Sequence, residues 1–177
     1  MKKYVAFSVM AVTALGVTVS HMEIEHYDDS YLLKVDGVVI DVCGHVSAAL
    51  NRLTRRCEAI APSVAGEYGD DALAASAMQA IREHSPPDSR RLQLRQLLSS
   101  GPWMLAEVEF LELQPAVILL EQKAHSWAIP QHAIWSGSTQ PWLAGPWIRS
   151  YLHQRAPQAP MALMACFEPS PALFDLH

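Results

Sequence analysis

Cys43 is the residue of this chain best placed to do chemistry. It follows an apolar, strand-like run and falls in the first turn of an expected helix. There, unpaired backbone N–H groups and the positive end of the helix dipole lower a thiol's pKa and favour the nucleophilic thiolate. His125, in a later strand, is the candidate base, and Cys43 with His125 would make a cysteine hydrolase or acyltransferase. A competing pattern runs through the same residue. Cys43, Val46, Leu50, Leu53, Cys57 and Ile60 recur at steps of three and four, the stripe of a helix that buries one face. In that phase Cys43 is a small core hydrophobe, inert until the protein is denatured. The core reading is preferred, and Leu50→Ala is then expected to cost about 2–5 kcal/mol.

Other candidates are weaker. His125 and His132 stand seven apart across Pro130 with no Asp, Glu or Cys at ligand spacing, and Cys43 and His45 point in different directions on a helix. No metal site and no cofactor are expected. Glu107, Glu109 and Glu112 lie along an alternating segment, where they read as a strand's wet side rather than as an acid/base pair. Five tryptophans fall within forty-five residues, and Trp135, Trp142 and Trp147 are the candidate partner-binding residues, the last two in a Pro/Gly-rich loop. Loops carry recognition, and Trp is enriched at binding hot spots.

A strand, a Cys-bearing helix start and a later strand with a His form the arrangement of papain-like cysteine hydrolases. Asp41-Val42-Cys43-Gly44 resembles the Asp-Cys-Ser-Gly of cell-wall cysteine peptidases with one residue inserted, and His125-Ser126-Trp127 resembles the His-x-Trp of transglutaminase-like proteins. The two motifs point to different families, so no membership is drawn from them.

The elements that would position these residues follow from pattern. Asp36-Gly37 between the apolar runs of Tyr31 to Asp41 signals a tight hairpin. The striped helix spans about 42–60, capped by Asp41 and ended by Pro62. Asp70 and Asp71 open a second helix with Leu73, Ala77, Ala80 and Ile81 inward, stopped by Pro86-Pro87. A third carries Leu94, Leu97 and Leu98 to Gly101, completing a helical hairpin. Ala106 to Leu113 alternates as a strand, Ala116 to Leu120 reads as a central strand, and His125 to Ile129 as another. Trp147 to Gln154 is a short helix, Met161 to Phe167 a last strand, and the tail after Pro169 only loosely ordered. The order gives a single α+β domain over 22–177: an N-terminal β-hairpin, about three helices, then a mostly antiparallel sheet.

Composition sets the compartment and excludes some partners. Lys2 and Lys3 precede an uncharged apolar run from Tyr4 to Val19, closed by Ser20-His21-Met22-Glu23. Residues 1–21 thus read as a signal peptide cut near Ser20. The run is short for a bilayer core of ~30 Å, and membrane contact is expected only through it, if uncleaved. Ser20-His21-Met22 also has the look of a cloning-vector join, which would make the leader artificial and the protein cytoplasmic; otherwise it is periplasmic or secreted. Net charge is −5, and basic residues cluster only at Arg90-Arg91 and Arg52/Arg55/Arg56, so no nucleic-acid footprint exists. With three cysteines, a helix spanning both Cys43 and Cys57 would hold them about 21 Å apart, beyond disulfide reach. Only Cys166 can bridge to either, leaving one thiol free. The leading expectation is a small exported bacterial protein that binds another protein, as an accessory subunit, immunity protein or chaperone of an envelope or secretion system. The cysteine hydrolase is the alternative.

Overall fold

The computed structural model describes residues 22–27, 30–63, 71–84, 88–124 and 126–174. The expected leader, Pro86-Pro87 and His125 lie outside them. An N-terminal antiparallel sheet comprises β1 (Met22–Tyr27), β2 (Ser30–Val35) and β3 (Val38–Asp41). Its β2–β3 turn places Asp36 at φ 50° and Gly37 at φ 85°, the left-handed pair that a two-residue hairpin of matching twist requires. β3 runs directly into α1 (Val42–Thr54).

A second antiparallel sheet has the order β4 (Ala61–Ser63), β5 (Leu92–Ser100), β6 (Trp103–Phe110), β7 (Ala116–Lys123). The far edge of β7 is shared by β8 (Ser126–Ala128) and β9 (Ile134–Ser136). Both faces are covered. Trp103, Leu105, Val117 and Leu119 pack with α3 (Ala144–Arg155), α4 (Met161–Cys166) and α5 (Pro171–Phe174). Met104, Ala106, Ile118 and Leu120, one residue out of phase, pack with α2 (Asp71–His84). Period-two alternation here separates two cores rather than core from water. The α+β class, the hairpin and the antiparallel sheets agree with the sequence reading.

Four local readings are corrected. Leu92–Ser100 is a strand, not a third helix. A bulge between Leu94 and Gln96 shifts the register, so Leu94 and Leu97 share one face three residues apart and imitate a helical step. Met161–Cys166 is helical, because a short apolar run bounded by Pro160 does not by itself distinguish strand from helix. α1 stops at Thr54, with Arg55 extended, and Pro62 lies in β4. The tail holds Phe174 fully buried, so it is anchored.

Candidate functional site

The site begins at Asp41. Its Oδ1 accepts from Gly44 N at 2.7 Å, capping α1, and its Oδ2 accepts from Leu143 N, just ahead of α3, at 3.0 Å. One carboxylate therefore joins two helix starts. A Cβ on Gly44 would stand 2.1 Å from that Oδ2 and 3.0 Å from the Leu143 Cβ, so only glycine permits the approach.

From this joint α1 lies with Gly44, Ala48, Asn51 and, just past its end, Arg55 inward. Asn51 Nδ2 donates to the Ala165 carbonyl at 2.8 Å. Arg52 gives Glu168 three bonds, at 2.7, 3.0 and 3.3 Å, and Arg55 adds one at 2.6 Å. These guanidinium bonds, Arg52 foremost, hold the Glu168 carboxyl below its ordinary range against a desolvation that raises it. Just past the helix, Cys57 is disulfide-bonded to Cys166 across 109 residues, Cα to Cα 5.8 Å. That is the bridge that elimination allowed, with Cys43 free.

The opposite side of α1 overturns the core expectation. Val46, Leu50 and Leu53 are 54%, 57% and 82% exposed, Val42 lies beside them, and Cys43 is exposed as well. The helix packs through small and hydrogen-bonded residues and turns its large apolar residues outward. The N-terminal sheet repeats the arrangement. Its register aligns Ile24 with Leu33 and Leu33 with Ile40, and Met22 with Val35 and Val35 with Val38. One face is thus apolar, with Ile24 74% exposed. The other carries Glu23 and Glu25 beside Lys34, at 3.6 and 3.8 Å, together with buried Leu32 and Asp41.

Trp135, Trp142 and Trp147 are brought together. Trp142 and Trp147 stack at 5.5 Å with planes 7° apart, while Trp135 meets Trp147 edge-on at 6.5 Å and Tyr151 at 5.1 Å. The Arg155 guanidinium lies over the Tyr151 ring, 5.1 Å from its centroid. Trp142 precedes Leu143, whose N–H reaches Asp41 on the inward side of α1. Trp103 is buried in one core and Trp127 packs on the other.

The carboxylate reading needs one correction. Glu107 is only 2% exposed: it lies on the face of β6 under the C-terminal helices and accepts from Ser170 N at 2.9 Å. Burial raises its pKa, partly offset by that bond and by Arg95. The pairing of Cys43 with His125 falls outside the described residues. Among them, no group of three His, Cys, Asp or Glu could hold a metal, and no helix is long and apolar enough to cross a membrane. Sequence reasoning missed the double use of Asp41 and the Glu168 clamp. Arg52 and Arg55 read as a solvated face, and no local signal ties them to a residue more than a hundred positions away.

The arrangement defines an α+β protein with a helix clamped on its polar side and apolar outside, and with a separate tryptophan stack at the start of α3. No protein-family model, curated protein or solved structure matches the chain.

Proposed function

We propose that this is an exported protein that works by binding another protein through the outer face of α1 and the Trp142–Trp147 stack. Roles of this kind include an accessory subunit, immunity protein or chaperone of a bacterial envelope or secretion system. The observation that carries the reading is the exposure of Val42, Val46, Leu50 and Leu53 on a helix held from behind. Contiguous apolar surface on a folded protein marks an interaction site, and this spacing suits a helix laid in a partner's apolar groove. The Cys57–Cys166 bond suits an oxidising compartment, as does the leader pattern. The test is photo-crosslinking from position 50 in the native host. The expected result is one discrete protein adduct that Leu53→Asp abolishes while the far-UV spectrum stays unchanged. No adduct, or one indifferent to Leu53→Asp, rejects the reading.

One observation favours the cysteine hydrolase as a second reading: Cys43 is exposed in the first turn of α1 rather than sealed in the core. Native-state alkylation near pH 6, abolished by His125→Ala, would establish it.

A further inference from the structure

The two cores are not filled alike. Three helices cover one face of the large sheet, whereas α2 covers the other through Leu73, Ala74, Ala77, Met78, Ala80 and Ile81. A cavity of about 430 Å³ lies between the C-terminal end of α2, at Ile81 and His84, and the β7–β9 edge. That is within the ~300–1,000 Å³ of small-molecule sites.

The strand register gives the cavity a direction. Leu92 pairs with Phe110, Val108 with Ala116, and Ala116 with Ser136. The turn before β5, the end of β6, the start of β7 and the end of β9 therefore meet at one edge of the sheet. The polar lining residues His84, Ser89, Gln114 and Ser136 all belong to that edge. Deeper in, Ala116 gives way to Ile118 paired with Ile134, and Ile129 lies beyond. The space is a mainly apolar bore, aliphatic at Ile118, Ile129 and Ile134, whose mouth carries Phe110 and Leu113 beside the polar groups. We propose that it binds a small molecule with a saturated aliphatic body and one polar, hydrogen-bonding head, such as a medium-chain fatty acid. The chain would lie over Ile118 and Ile134, and the head would meet His84, Gln114 and Ser136. This site is separate from the α1 surface, and neither proposal depends on the other.

The probe is dodecanoate below its micellar concentration, titrated by calorimetry and by displacement of a dansyl-labelled fatty acid. The expected result is one molecule per chain and a raised melting temperature. Dodecanol should bind more weakly, because the mouth would lose the acid's second oxygen. Ala116→Leu shortens the bore and Ser136→Phe plugs the mouth at an exposed position, so the second variant tests the site even if the first does not fold. Each should weaken dodecanoate at least about tenfold, whereas Leu50→Asp should leave it unchanged. Absence of binding, or binding unaffected by Ser136→Phe, overturns the proposal. Loss on Leu50→Asp would place the uptake on α1 instead and overturns it as well.

Discussion

Removing the disulfide by Cys57→Ser with Cys166→Ser should cost the protein a large part of its stability. The bond closes a loop of 109 residues, for which the chain-entropy relation gives about 5 kcal/mol at 25 °C, while measured losses of native disulfides run from about 2 to 5. The native state itself should change little. Asn51 still reaches the Ala165 carbonyl, and Arg52 and Arg55 still hold Glu168. Most of the loss therefore lies in the unfolded chain, which gains freedom when the loop opens. Urea unfolding followed by tryptophan fluorescence reads both consequences, with Cys43→Ser in parent and variant alike to prevent exchange. The midpoint should fall, and m should rise because the opened chain exposes more surface. Against a typical total of ~5–15 kcal/mol, the variant should be marginal at 37 °C. A loss under about 1 kcal/mol with m unchanged would refute the reasoning and mean that the closed loop does not constrain the unfolded state.

Glu107→Gln keeps the acceptor for Ser170 N and removes a buried charge. Since the folded pKa of Glu107 is raised, stability present at low pH declines as pH climbs from the ordinary carboxylate range through the raised value. The variant should flatten that limb in thermal melts, and a wild-type limb that persists in it would exclude Glu107 as the cause. Leu50→Ala should change stability by less than ~0.5 kcal/mol, as exposed sites do, where a core leucine would cost ~2–5; urea midpoints decide between them. Cys43, being exposed, should take up iodoacetamide at pH 8 without denaturant. Silence at pH 8 by mass spectrometry would contradict its placement.

What could be read in the sequence was whatever short-range chemistry decides. Asp36-Gly37 needs no tertiary partner to set its turn, and Asp41 caps α1 through its own neighbours. The Leu92–Ser100 strand was hidden because its bulge is a property of pairing with β6, and one strand does not record its partner's register. Glu107 was misplaced for a related reason. An alternating strand announces two faces, but whether the second meets water depends on the layer that α3, α4 and α5 add later in the chain. The tryptophans of the loop were visible as candidates, and their stacking was not, because it depends on where α3 starts against Asp41.

α1 shows most clearly how periodicity and burial part. At about 100° per residue, Val42, Val46, Leu50 and Leu53 lie about half a turn from Gly44, Ala48, Asn51 and Arg55. The pattern thus located the apolar stripe correctly and misassigned its side. Which side goes inward is decided by the strongest fixings, and here these are a disulfide, a bidentate ion pair, an amide-to-carbonyl bond and a glycine contact. None of them needs the stripe to be buried. A helix held in this way keeps its position whether the stripe faces water or a partner, so binding would cost little ordering of the backbone. A stripe needed for folding would vary with stability when mutated. One held from behind can lose Leu50 or Leu53 and lose only its partner, and for that reason crosslinking from position 50 and unfolding of Leu50→Ala must be read together.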